Sequence, residues 1–123
     1  MITIKSKREI ELMKEACKVT ALTYDYIEKI IKPGMSTLEL DHLAEKFIKE
    51  HGGIPAQKGY PSGVRGVPNF PGTLCISIND VVIHGIPSKD IIILINFTKD
   101  ESLNKNIDYV LDRLYSYIIN RKV

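Results

Sequence analysis

The chain has 123 residues, which suits one small domain with a modest core. Its 44% hydrophobic and 26% charged residues are ordinary globular values, and a net charge of +2 favours neither nucleic acid nor an anionic membrane as partner. The longest apolar run, Ile91 to Ile95, is far shorter than the roughly 20 residues that span a bilayer. Residues 1–9 lack the apolar core of a secretory signal, so we expect a cytoplasmic protein.

Two cysteines, Cys17 and Cys75, lie far apart and form no C-x-x-C pair. Each falls within an apolar pattern, which favours two reduced and buried thiols. A disulfide or a nucleophilic cysteine is the less favoured alternative.

Two helices are predicted in the first half of the chain. The capping boxes Ser6-x-x-Glu9 and Ser36-x-x-Glu39 predict where they begin. Lys32-Pro33-Gly34 predicts the end of the first helix, with Gly34 as a left-handed C-cap, and His51-Gly52-Gly53 predicts the end of the second. Apolar residues at helical spacing predict these core positions: Ile10, Met13, Cys17, Tyr24, Ile27 and Ile31, with a second row of Leu12, Ala16, Val19 and Ile30, then Leu40, Leu43, Ala44, Phe47 and Ile48.

Residues 54–72 are dense in glycine and proline, which excludes a helix and predicts a long loop. Its aromatic residues, Tyr60 and Phe70, favour an ordered loop. They either line an apolar pocket or pin the loop to neighbouring structure, and both roles are compatible.

Strands are predicted after this loop. Residues 74–78 and 81–83 are typical of a hairpin around Asn79-Asp80, and residues 91–97 of a third, buried strand. His84 ends the second hairpin strand, on the face of Val82, and so is expected at the rim of a concave surface. From about Glu101 the apolar spacing predicts an amphipathic helix, through Ile107, Val110, Leu111, Leu114, Tyr117 and Ile118.

Three motifs carry a resemblance to a known family: residues 32–41, Lys58-Gly-Tyr-Pro61, and Cys75-Ile-Ser-Ile-Asn-Asp-Val-Val-Ile-His-Gly-Ile-Pro87. Up to about Lys89 the sequence resembles the type I methionine aminopeptidases of peptidase family M24. The resemblance implies an α+β fold, the N-terminal half of the pita-bread architecture. In it two helices pack on a curved antiparallel sheet, here followed by a C-terminal helix. We expect a family-like half domain over residues 1–90 and a divergent tail over 91–123.

The resemblance also implies a reaction and a site. The family removes the initiator methionine from nascent proteins with two divalent metal ions (Co, Mn, Fe, Zn or Ni). Its substrates are peptides with an N-terminal methionine, including chains emerging from the ribosome. Carried over residue by residue, His84 is the substrate-facing histidine. Cys75 either lines the methionine pocket, as a cysteine does in some members of the family, or packs plainly in the core. Tyr60 is a further candidate substrate-binding residue, as a wall of an apolar pocket for methionine.

The sequence departs from the family where the metal ligands are expected. In the family, two aspartates, a histidine and two glutamates follow the His-Gly-Ile-Pro motif. Here Ile95 or Asn96 stands at the first aspartate position, and no histidine follows His84. We therefore assign no catalytic or metal-binding residue, and expect this chain to hold no cofactor and to be inactive by itself.

The alternative function is a non-catalytic peptide- or protein-binding module. An experimentally shortened chain, a frameshift, a decayed gene and a short paralogue all stay open as explanations for the divergent tail.

Overall fold

A computed structural model describes residues 2–93 of the chain. The predicted strand beyond Ile93 and the predicted C-terminal helix lie outside the described residues. Two helices are present in the described part: α1, Lys7–Ile30, and α2, Thr37–Glu50. Both begin immediately after the predicted capping serines, so the sequence signals located the helices correctly.

The helix ends follow from local hydrogen bonds. At α1 the Ser6 backbone N–H donates to Glu9 Oε2 over 2.6 Å, and the Glu9 N–H donates to Ser6 Oγ over 3.3 Å. At α2 the Ser36 hydroxyl accepts from the Glu39 N–H over 3.1 Å. The last turn of α2 is closed by the Gly53 N–H on the Ile48 carbonyl at 2.8 Å, the pattern of a Schellman C-cap.

Gly34 has a different role from the predicted one. The C-cap of α1 is Ile31, in an extended conformation, and Gly34 instead has φ +87° in the turn between the helices. The Met35 N–H closes that turn on the Lys32 carbonyl at 3.3 Å, and Pro33 precedes the glycine as in a type II turn. The prediction of a C-cap was wrong, because Ile31 leaves the helix before the proline.

The buried face of α1 also differs from the prediction. Cys17 is exposed, whereas Thr20, Thr23 and Ile27 are the buried residues of this helix. The Thr20 hydroxyl donates to the Ala16 carbonyl and that of Thr23 to the Val19 carbonyl, at 2.9 and 2.7 Å. Because each hydroxyl is satisfied within the helix, threonine can occupy the packed face. The prediction of a buried Cys17 was therefore wrong.

The predicted core face of α2 is confirmed. Leu40, Ala44 and Ile48 are buried, while Leu43 and Phe47 are partly buried. Apolar residues from several segments meet in one cluster, which consists of Ile27, Met35, Leu40, Ala44, Leu74, Ile76 and Ile93. The core thus joins both helices to the segments that follow the long loop.

The predicted hairpin strands are not formed. Within residues 2–93 there is no β-strand, only an isolated antiparallel bridge between Ser36 and Ile92. The turn at Asn79-Asp80 is present, closed by the Val81 N–H on the Ile78 carbonyl at 3.3 Å. However, His84 has φ +54°, which interrupts the extended backbone that a strand ladder needs. A two-stranded hairpin alone is also marginally stable.

Side chains on one side of α2 form hydrogen bonds with three later segments of the chain. Thr37 Oγ1 donates to the Ser88 carbonyl at 3.0 Å, and Glu45 Oε2 accepts from Lys58 Nζ at 2.6 Å. Between them, Asp41 Oδ1 accepts from the Leu74 N–H at 2.6 Å. These three anchors are four residues apart on the helix, so they face the same side. The chain from Lys58 to Ser88 therefore runs against the direction of α2.

Candidate functional site

Asp41 positions the segment that carries the candidate site. Its side chain is only 2% exposed, and its Oδ1 accepts hydrogen bonds from the Thr73 and Leu74 N–H groups at 2.8 and 2.6 Å. Burial raises the pKa of this carboxyl above its ordinary value, although the bonds from Leu74 and Thr73 oppose the shift. The carboxylate therefore fixes the backbone immediately before Cys75.

Cys75 and His84 are brought together on the two sides of the Asn79-Asp80 turn. Cys75 Sγ lies 3.9 Å from His84 Nδ1, within reach of a weak thiol–imidazole hydrogen bond. Burial, followed by the negative charge of Asp41, raises the pKa of the Cys75 thiol. The sulfur is thus kept as a neutral thiol, which suits the lining of a site better than nucleophilic attack.

His84 itself is exposed and lies in a tight bend of the backbone. The Ile76 N–H donates to the Gly85 carbonyl at 2.9 Å, and the Gly85 N–H donates to Ser77 Oγ at 3.2 Å. A Cβ on Gly85 would overlap the Ile76 carbonyl oxygen, so only glycine permits this approach. Because His84 has left the extended conformation, its predicted shared strand face with Val82 is wrong.

Tyr60 lies on a separate loop, which is ordered as predicted. The Gly59 N–H donates to the Phe70 carbonyl at 2.8 Å, and the Phe70 N–H donates to the Tyr60 carbonyl at 2.9 Å. Lys58 ties the start of this loop to Glu45 of α2. Tyr60 is 45% exposed, so it is only partly covered by the fold.

Metal-ligand geometry can be tested in residues 2–93. No three His, Cys, Asp or Glu side chains there are grouped so that they could hold one ion. Cys75 and His84 are only a pair, and one oxygen of the nearby Asp41 is occupied by two backbone N–H groups. The described residues therefore do not fit a dinuclear metal centre. The positions of Ile95 and Asn96 lie outside them.

Sequence reasoning missed the role of Asp41. Asp41 enters the sequence analysis only as the last residue of the family motif at residues 32–41, yet it supplies the carboxylate beneath the candidate site. A signal was available, because Asp41 shares helical spacing with Ala44 and Ile48, both in the predicted core face. A single carboxylate among core-facing helix positions indicates an acceptor for buried backbone N–H groups.

The sequence model of metallopeptidase family M24 matches residues 11–116, and the chain belongs to this family. Methionine aminopeptidase 1 of Bacillus subtilis is 45% identical over 92 residues, covering 75% of this chain and 34% of the relative. Methionine aminopeptidase of Clostridium acetobutylicum is 49% identical over 89 residues, covering 72% and 33%.

A longer match exists with methionine aminopeptidase of Chlamydia trachomatis, 36% identical over 114 residues, 93% of this chain and 36% of the relative. The chain thus spans about a third of the length of the relatives it matches. Across residues 2–93 neither helix has the length and apolar character needed to cross a membrane.

Proposed function

We propose that this chain provides a methionine-recognising face of an M24 aminopeptidase and does not hydrolyse peptides by itself. The observation that carries the proposal is the Cys75–His84 contact of 3.9 Å, within the region that matches methionine aminopeptidases. A half-buried neutral thiol offers a soft apolar surface to a methionine side chain, and the exposed imidazole can donate to a peptide carbonyl.

Tyr60 is proposed as the third substrate-binding residue. Lys58 and the Phe70 backbone hold its loop, which supports a fixed position for the aromatic ring. Because the similar proteins are methionine aminopeptidases, the proposed ligand is a peptide with an N-terminal methionine. The same proposal includes three further points. The chain binds peptides that emerge from the ribosome, it is located in the cytoplasm, and its family-like half domain ends near residue 90.

The expected lack of catalysis rests on the ligand set. Ile95 and Asn96 cannot replace a bridging carboxylate, since one is apolar and the other is neutral. Calorimetric titration with cobalt or manganese should therefore give no tight binding of two ions to the 123-residue chain. The chain should release methionine from Met-Gly-Met no faster than a His84→Ala variant that is prepared in the same way as the background control. Chelator-sensitive turnover that exceeds this control would overturn the proposal of inactivity.

Peptide binding tests the recognition role. Met-Gly-Met should shift the NMR resonances of His84 and Cys75, and N-acetyl-Met-Gly-Met should bind less well because its amino group is blocked. His84→Ala should weaken binding, whereas His42→Ala, on the exposed side of α2, should not. Equal binding of free and blocked peptides would favour the alternative, a peptide-binding module without aminopeptidase-like recognition. Binding of neither peptide would sink both functions.

A further inference from the structure

His84 lies in a left-handed backbone conformation, with φ +54°. Most side chains disfavour this conformation, because the Cβ atom comes too close to the following carbonyl oxygen. It persists where neighbouring contacts hold it, and such conformations are concentrated at active sites and ligand-binding sites. The contacts around His84 therefore decide whether its imidazole stays beside Cys75.

A side-chain hydroxyl replaces a backbone carbonyl in the pairing next to His84. The Ile76 N–H donates to the Gly85 carbonyl at 2.9 Å, which is half of a hydrogen-bonded antiparallel pair. In a regular pair, the Gly85 N–H would donate to the Ile76 carbonyl in return. Here it donates to Ser77 Oγ instead, at 3.2 Å. Since Gly85 is buried, its N–H needs an acceptor from the protein, and the serine hydroxyl supplies one.

The serine lies where it can act on the histidine. Cys75 and Ser77 are two residues apart in one segment, and Gly85 directly follows His84 in the other. A Cβ on Gly85 would lie only 3.0 Å from Ser77 Cα, so the two backbones approach closely there. The hydrogen bond from Gly85 thus joins the segments beside the 3.9 Å contact between the His84 imidazole and the Cys75 thiol.

We propose that Ser77 is a positioning residue, whose hydroxyl holds His84 in the left-handed conformation and so keeps the imidazole beside Cys75. The inference rests on the proposed peptide recognition, because it names the residue that orients the histidine of that site. Without the hydroxyl, the Gly85 N–H loses its acceptor, and the backbone relaxes towards the extended conformation of a regular hairpin. The arrangement that binds the peptide then becomes less populated, and the apparent affinity falls in proportion.

Nuclear magnetic resonance of the 123-residue chain tests the backbone directly. A positive φ brings the amide proton close to the Hα of the same residue, so His84 should give a strong intraresidue cross-peak. Ser77→Ala should weaken this cross-peak, and Ser77→Thr should retain it because a hydroxyl remains. Ser88→Ala is the matched control, since it removes a serine oxygen that accepts a backbone N–H elsewhere, from Asp90 at 3.1 Å. An equally strong cross-peak in Ser77→Ala would overturn the proposal.

Variants at position 84 separate positioning from general stability. Glycine accepts a positive φ more readily than alanine, so His84→Gly should have an unfolding constant about fivefold smaller than His84→Ala. When Ser77→Ala is added to each, this advantage of glycine should disappear, because the left-handed conformation is no longer held. Urea denaturation of the four variants measures the difference. An advantage of the same size with and without the serine would contradict the proposal.

Peptide affinity connects the position to the function. Ser77→Ala should weaken the binding of Met-Gly-Met about three- to tenfold, the usual effect of one hydrogen bond, and Ser77→Thr should restore most of it. Unchanged affinity in Ser77→Ala would overturn the positioning role and leave the proposed peptide recognition intact. Absence of binding by the unaltered chain would instead overturn the proposed function. The cross-peak and the variants at position 84 would still decide whether Ser77 sets the conformation of His84.

Discussion

Leu74 donates its backbone N–H to the Asp41 carboxylate over 2.6 Å, and this bond joins α2 to the strip of chain that bears Cys75. The same oxygen accepts the Thr73 N–H at 2.8 Å. One buried side chain thus satisfies two backbone donors that would otherwise be unpaired inside the fold. Such a polar connection is specific in direction and register, unlike apolar contacts around it.

Removing this carboxylate should be strongly destabilising. Asp41→Ala leaves two buried N–H groups without an acceptor and should lower the free energy of unfolding by about 3 kcal/mol. Asp41→Asn keeps a carbonyl acceptor and should lower it by about 1 kcal/mol or less. Urea denaturation measures both, with Asp25→Ala on the exposed side of α1 as control. Equal losses for Ala and Asn would show that the accepting oxygen is not what matters.

The stability should also depend on pH through Asp41. Its folded pKa is raised above 3.8, so the folded protein binds this proton more tightly than the unfolded chain does. The resulting stabilisation is complete below about pH 3.8 and is lost as the pH rises through the folded pKa. Relative to Asp41→Asn, the unaltered protein should therefore become less stable as the pH rises above about 3.8. A constant difference between the two would contradict the raised pKa.

The two cysteines should differ in reactivity. Cys17 is exposed, whereas Cys75 is half-buried and its thiol pKa is raised by burial and by Asp41. Iodoacetamide at pH 8 should modify Cys17 at least about tenfold faster, as peptide mass mapping would measure. Asp41→Asn should accelerate the modification of Cys75 and leave Cys17 unchanged. Faster labelling of Cys75 in the unaltered protein would exclude a protected thiol.

The loop that carries Tyr60 should loosen when its lysine is removed. Lys58 and Lys49 both bond Glu45, at 2.6 Å, but only Lys58 belongs to the loop. Lys58→Met should speed amide exchange at Gly59 and Phe70, at a loss of less than about 1 kcal/mol in global stability. Lys49→Met removes a charge from the same carboxylate and serves as control. Similar exchange in both variants would mean that the loop does not depend on this ion pair.

Gly85 should tolerate no side chain. A methyl group there would overlap the Ile76 carbonyl oxygen. It would push apart the two backbone segments that carry Cys75 and His84. Gly85→Ala should lower the free energy of unfolding by about 3 kcal/mol and shift the His84 resonances. Ile86→Ala, at a side chain that is 54% exposed, is the neighbouring control. A fully stable Gly85→Ala protein would show that the backbone can separate without loss.

Sequence patterns located both helices because caps, periodicity and stop signals are local. Ser6, Ser36 and Gly52 act on groups within a few residues of themselves, so neighbours in sequence decide the outcome. The family resemblance assigns Cys75 and His84 to substrate binding as separate residues, and the contact between their side chains is not predicted from the sequence. The role of Asp41 depends on Thr73 and Leu74, which lie 32 and 33 residues further along the chain, and no short-range pattern encodes such contacts.

Strand formation was the main expectation that failed in the described residues. The alternation matches the burial in residues 74–76, where Leu74 and Ile76 are buried, whereas residues 81–83 are all exposed. A strand also needs a neighbouring backbone in register. The positive φ of His84 removes that register on one side. The choice between pocket lining and plain loop support for Tyr60 likewise depends on what the ring faces, which sequence spacing does not determine.

The three anchors on α2 imply that insertions have unequal effects in different parts of the chain. Extra residues between Ser62 and Val67 lengthen only an exposed part of the loop. Lys58, Leu74 and Ser88 can then still reach their partners on α2. One residue inserted between Thr37 and Glu45 instead rotates the later anchors by about 100° around the helix axis. Natural length variation and engineered grafts should therefore be tolerated in the loop and excluded from α2.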